Sequence, residues 1–125
     1  MSALLVVDDN SDLLELFSFV LHDAGYEVRT ARDGVEALEV LRSSPTQPDA
    51  IVLDVEMPRM SGPEMIRQLR IVDSGKEKIP VLLMSAMHRP DFVKLVHELH
   101  LRYSLCKPFD SDELLAAVAS IAGGT

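Results

Sequence analysis

Tryptophan is absent from this chain of 125 residues, tyrosine occurs only twice, and Cys106 is the only cysteine. A lone thiol excludes an internal disulfide and fits a reducing cytoplasm. Positive charge is scarce as well: 12 Lys and Arg stand against 20 Asp and Glu, for a net charge of −8. Direct nucleic-acid binding is therefore not expected, because that function leaves a basic footprint. Apolar runs extend over only a handful of residues, too few to cross a bilayer. The opening MSALLVVDD has neither a basic leader nor a long apolar stretch, so a signal peptide is not expected. Neither G-x-G-x-x-G nor G-x-x-x-x-G-K-[ST] occurs, which argues against dinucleotide and P-loop sites. No internal repeat or low-complexity tract is present. With 47% hydrophobic and 26% charged residues, the composition is that of a globular chain, and its length predicts one domain over residues 1–125.

What is present is an alternation. Short apolar runs at Ala3–Val7, Tyr26–Thr30, Ala50–Leu53, Val81–Met84 and Tyr103–Cys106 predict strands. Amphipathic stretches at Ser11–Ala24, Gly34–Arg42, Gly62–Val72, Asp91–Leu101 and Ser111–Ile121 predict helices. Leu14, Phe17 and Leu21 share one face of the first helix, and Leu114, Leu115, Val118 and Ile121 one face of the last. Ser11 and Ser111 are candidate N-caps, and Gly25 stands where a left-handed C-terminal residue belongs. Strict strand–helix alternation implies parallel strands joined by right-handed crossovers. The runs Leu4–Val7 and Ile51–Leu53 are apolar on both faces, as in strands covered by helices on each side. The expected fold class is α/β: a doubly wound, five-stranded parallel sheet in a three-layer sandwich. Such a fold binds its ligand beyond the carboxyl ends of the strands.

The residues that carry chemistry cluster there. Asp8 and Asp9 follow the first strand, Asp54 the third, Ser85 and Ala86 the fourth, and Lys107 and Pro108 the fifth. Three converging carboxylates raise one another's pKa or require a cation, and hard oxygen ligands suit Mg²⁺ or Mn²⁺. Lys107 would help neutralise a phosphoryl group whose oxygens Ser85 and the Ala86 N–H could bond. Phosphoryl transfer needs mostly positioning and charge neutralisation. Asp54 is the central carboxylate and the best nucleophile, while Asp8 and Asp9 are better placed to hold the metal.

VVDDN at 6–10, LDVEMPRMSG at 53–62, Ser-Ala at 85–86 and CKPF at 106–109 together make the chain resemble a receiver domain of two-component response regulators, of the chemotaxis-regulator type. The resemblance covers essentially the whole chain and implies a (βα)5 flavodoxin-like sandwich. It implies Asp54 as phosphoacceptor and Asp8 and Asp9 as the metal-binding acidic pair, with the Glu56 backbone carbonyl as a further ligand. It implies Ser85 as the switch hydroxyl, Lys107 as the bridge to the phosphoryl group and a cis Lys107–Pro108 peptide. The implied partners are a sensor histidine kinase or phosphotransfer protein upstream and a protein docked on the helix 4–strand 5–helix 5 face downstream.

One position departs from that pattern. The aromatic usually found three residues before the lysine is replaced by Ser104, with Tyr103 one residue earlier, where alternation turns it to the opposite face. Either a local irregularity restores Tyr103, or switching uses backbone shifts and the fourth helix; the resistance of buried strands to register slips favours the second. Glu56 could contact Lys107, tune water access to the acyl phosphate, interfere with the metal or remain a solvated loop residue. His88, Arg89, Lys94, His97, His100 and Arg102 make a basic cluster, read first as a solvated face and second as a docking surface. Cys106 is expected to be buried and inert. Two other functions compete: a receiver-like binding module that signals without phosphorylation, and an aspartyl-nucleophile phosphatase. The second lacks the D-x-D expected at its first strand and any cap-sized insertion. No helix-turn-helix or catalytic output domain is seen, which leaves open a stand-alone regulator or an excised receiver.

Overall fold

The computed structural model describes residues 2–71, 75 and 78–122. Ten elements alternate along it: β1 (Ala3–Val7), α1 (Ser11–Asp23), β2 (Glu27–Ala31), α2 (Gly34–Ser43), β3 (Ala50–Asp54), α3 (Gly62–Ile71), β4 (Val81–Ser85), α4 (Arg89–Glu98), β5 (Tyr103–Cys106) and α5 (Ser111–Ala122). The five strands form one parallel sheet in the order β2-β1-β3-β4-β5. The expected extension of α3 to Val72 lies outside the described residues.

Strand periodicity divides the core in two. Leu5, Val7, Ile51, Leu53 and Leu83 point to one face, where α2, α3 and Phe92 of α4 cover them. Leu4, Val6, Val52, Leu82 and Met84 point to the other, against Leu14, Phe17 and Leu21 of α1 and Leu114, Val118 and Ile121 of α5. This is why β1, β3 and β4 are apolar up to the last residues of β3 and β4, Asp54 and Ser85: both of their faces are covered. α4 is the least anchored helix, with Phe92 as its one buried residue.

The helix starts refine the sequence reading. Ser11 is already helical; the α1 N-cap is Asn10, whose side chain accepts from the N–H groups of Asp12 (3.0 Å) and Leu13 (3.1 Å). At α5 the cap is Asp110 rather than Ser111. Its carboxylate accepts from the Glu113 N–H at 2.8 Å, and Glu113 accepts from the Asp110 N–H at 3.2 Å, a reciprocal capping box. In both places a longer carbonyl-bearing side chain one residue earlier reaches the open amides. Gly25 takes the left-handed turn expected of it, with φ 102°. Cys106 is half-buried rather than buried, because β5 is a sheet edge.

Candidate functional site

The chain leaves β1 toward β2 on one side and returns to β3 on the other, so a crevice opens beyond the carboxyl ends of β1 and β3. Register then brings the strand-end residues into a row. Val7 lies beside Leu53, Asp54 beside Met84, and Ser85 beside Cys106. Asp8, Asp9, Asp54, Glu56, Ser85 and Lys107 line the resulting cleft of about 750 Å³.

Asp8 is fully buried and Asp54 is 7% exposed, while Asp9 lies open to solvent. Lys107 Nζ donates to Asp8 Oδ2 at 3.0 Å and lies 3.3 Å from Asp54 Oδ1. The other Asp8 oxygen accepts from the Asn10 N–H at 2.9 Å. Burial and the neighbouring Asp8 charge push the Asp54 carboxyl up to about 6, against the opposing pull of Lys107. Burial also disfavours the Lys107 charge, yet the two carboxylates outweigh it and hold the ammonium above its usual range. Two buried anions thus share one cation, and a further positive charge is accommodated readily. Carboxylate oxygens of Asp8, Asp9 and Asp54 lie within 4.8 Å of one another, a hard-oxygen set that can hold a divalent ion.

Ser85 is buried, and its hydroxyl accepts from the Met87 N–H at 2.9 Å. Ala86 is exposed at the cleft. The Lys107 N–H donates to the Ser85 carbonyl at 2.8 Å, which ties the ends of β4 and β5 together. The Lys107–Pro108 peptide is cis. Beyond it, Phe109 stacks on Phe17 of α1 with ring centroids 5.4 Å apart, an anchor for this loop that sequence spacing did not reveal. Glu56 is exposed at the cleft, and Lys107 pairs with Asp8 and Asp54 instead. Tyr103 packs with the α1/α5 core, while Ser104 is exposed on the other face of β5. The six basic residues from His88 to Arg102 are all exposed.

Gly62 serves a steric purpose. A Cβ there would overlap the Asp54 carbonyl oxygen. Gly62→Ala is expected to cost about 2 kcal/mol in urea unfolding by displacing the end of β3. A cost below a few tenths would show that the loop yields freely.

Other proteins share this fold and part of this sequence. The response regulator receiver domain family matches residues 4–119. The Transcriptional regulatory protein CpxR homolog of Haemophilus influenzae is 37% identical over 97% of this chain, but the match takes in 50% of that protein, so the chain spans about half its length. Sporulation initiation phosphotransferase F of Bacillus subtilis is 32% identical, with 92% of this chain and 89% of that protein covered. The chemotaxis protein CheY4 of Vibrio cholerae superposes with a TM-score of 0.85 at 33% identity, covering 97% and 98% of the two chains. With the fold, the strand-end carboxylates and the match along nearly its whole length in agreement, this chain belongs to the response regulator receiver domain family of two-component systems.

Proposed function

We propose that this chain accepts a phosphoryl group on Asp54 from the phosphohistidine of a sensor histidine kinase or phosphotransfer protein. The observation that carries this reading is the placement of Asp54 at the mouth of β3, within reach of Lys107 and beside Asp8 and Asp9. An Asp54 carboxylate oxygen would attack phosphorus as the P–N bond to the donor imidazole breaks. The imidazole leaves with the electron pair and takes up a proton, and an acyl phosphate remains. Asp8, Asp9, Asp54 and the Glu56 backbone carbonyl would hold Mg²⁺ or Mn²⁺. When bound, that ion supplies charge neutralisation for the phosphoryl oxygens. Lys107 would pair with one such oxygen, and the Ser85 hydroxyl and Ala86 N–H would bond the others.

The product is a signalling state rather than a released metabolite, so the domain is a phosphoacceptor and not an enzyme in the ordinary sense. Switching would act through the α4–β5–α5 face toward a protein partner. The shallow anchoring of α4 on Phe92 supports that element as the one that moves. Ser85 and the backbone of β5 would carry the change; Tyr103 is turned toward α1 and α5, and Ser104 has no ring to swing. The acidic net charge speaks against nucleic acid as the direct partner. Among the described residues no helix is long and apolar enough to cross a membrane. A kinase-fed relay of this kind would operate in the cytoplasm.

The test is incubation with Mg²⁺ and acetyl phosphate followed by intact-mass measurement. A phosphoryl adduct is expected in the wild type and none in Asp54→Asn. Absence of an adduct with every donor tried, phosphohistidine donors included, would leave a phosphorylation-independent binding module instead. Steady turnover of phosphate esters would point to a phosphatase.

A further inference from the structure

The segment that follows Asp54 is fastened at two places. At its base the Gly62 N–H donates to the Val55 carbonyl at 2.9 Å. At its far end Pro58, Arg59 and Met60 form a γ-turn: the Met60 N–H donates to the Pro58 carbonyl at 2.6 Å, and Arg59 has φ 63°. A γ-turn with positive φ at its centre is rare and strained, and persists only where its surroundings over-determine it.

Those surroundings come from the start of α2. Arg59 Nε donates to Asp33 Oδ2 at 2.8 Å, and the Gly34 N–H donates to the Met60 carbonyl at 3.1 Å. Asp33 is 5% exposed, and its second oxygen caps α2 by accepting from the Glu36 N–H at 2.9 Å. Burial works to raise the Asp33 carboxyl, but Arg59 and the capping amide together hold it below the ordinary carboxylate range. Both carboxylate oxygens are therefore engaged, one with the helix and one with the loop. Gly34 completes the fit, since a Cβ there would crowd Met60 on its side chain and its backbone carbonyl.

We propose that Asp33 and Arg59 are positioning residues for the divalent cation: their ion pair holds the strained turn, and through it the segment carrying the Glu56 carbonyl, in place relative to Asp54. This rests on the phosphoacceptor reading above. Glu56 stands between two fixed points, Val55 on one side and the Pro58–Met60 turn on the other. Release of the turn would free the Glu56 carbonyl while Asp8, Asp9 and Asp54 stayed where the strands hold them.

The experiment is calorimetric titration of Mg²⁺ into the unphosphorylated protein near pH 7.5, for wild type, Asp33→Asn and Arg59→Ala. Asn at position 33 still caps α2, so that helix is kept. Both variants are expected to bind Mg²⁺ about tenfold more weakly, the scale of an outer-shell loss. A purely electrostatic influence would act with opposite signs, since loss of the Arg59 cation beside an acidic cluster would strengthen Mg²⁺ binding. An Arg59→Ala protein that binds Mg²⁺ as tightly as wild type, or more tightly, overturns the proposal. Should that variant fail to fold, Arg59→Met keeps the side-chain stem and the strain at the positive φ while still removing the pair; weaker Mg²⁺ binding is expected there too, and unchanged binding overturns the proposal. Wild-type protein that binds no Mg²⁺ would overturn the phosphoacceptor reading and this inference together, whereas normal wild-type binding with unchanged variants would overturn this inference alone.

Discussion

Lys107→Met is expected to destabilise the protein by about 3 kcal/mol near pH 8 and to slow phosphoryl uptake about a hundredfold. Lys107 is the only cation lining the cleft among the described residues, and it holds Asp8 at 3.0 Å and Asp54 at 3.3 Å. Removal of one partner from a buried pair costs more than the pair contributes, because the remaining charge stays desolvated. Here two carboxylates would be left, one fully buried and one nearly so. Protonation is their escape: without the ammonium the Asp54 carboxyl would rise further above its present value of about 6. The deficit should therefore shrink as the pH is lowered toward 5, where one carboxylate can take up a proton. Urea unfolding at several pH values measures the first effect, and the rate of adduct formation with acetyl phosphate the second. A pH-independent loss would mean that lost packing of the lysine stem, rather than charge, dominates.

The second large effect has the opposite sign. Asp54→Asn, the variant expected to form no phosphoryl adduct, is also expected to be more stable than the metal-free wild type near pH 7.5, by about 1–3 kcal/mol. Asp54 has its carboxyl raised from an ordinary 3.8 to about 6 by burial and by Asp8. Between those two values the native state binds more protons than the unfolded state, so stability falls as the pH rises through that window and stays low above it. A displacement of this size is worth about 3 kcal/mol once both states are ionised. The amide also gives up the attraction of Lys107, which reduces the gain. Below about pH 3 the advantage of the variant should vanish, since the wild-type carboxyl is then largely protonated in both states. Saturating Mg²⁺ should also narrow the gap by neutralising the wild-type cluster. Thermal unfolding across pH with and without Mg²⁺ checks all three. A variant no more stable than wild type at pH 7.5 would mean that water screens Asp54 from Asp8 despite its burial.

These opposing effects explain why the cleft suits its proposed task. Lys107 makes the acidic cluster tolerable, yet the cluster stays short of positive charge, so a divalent ion would supply the missing charge and, with Lys107, offset that of an incoming phosphoryl group. The cost falls on folding stability and is borne by the apolar β1, β3 and β4 on which the charged residues sit.

Local chemistry made much of this legible from the chain alone. Apolar runs such as Leu4–Val7, alternating with amphipathic segments, can satisfy both periodicities only as a doubly wound sheet, and that rule alone sends Asp8, Asp9, Asp54, Ser85 and Lys107 to one end. The face of Tyr103 followed from alternation in the same way. Caps were less legible: Asn10 and Asp110 each outcompete a neighbouring serine, a choice set by reach to particular amides. The reciprocal Ser61–Glu64 cap at α3 is a plain S-x-x-E signal that was open to reading.

What the tertiary structure alone decided are contacts between groups far apart in sequence. The stacking of Phe109 on Phe17, the choice of Asp8 and Asp54 over Glu56 as partners of Lys107, the overlap that forbids a side chain at Gly62, and the Asp33–Arg59 pair all depend on how finished elements dock. Periodicity determines which face a residue takes, because that is a property of its own strand or helix. Which atoms meet across a gap is a property of two elements at once, and only the packed molecule specifies it.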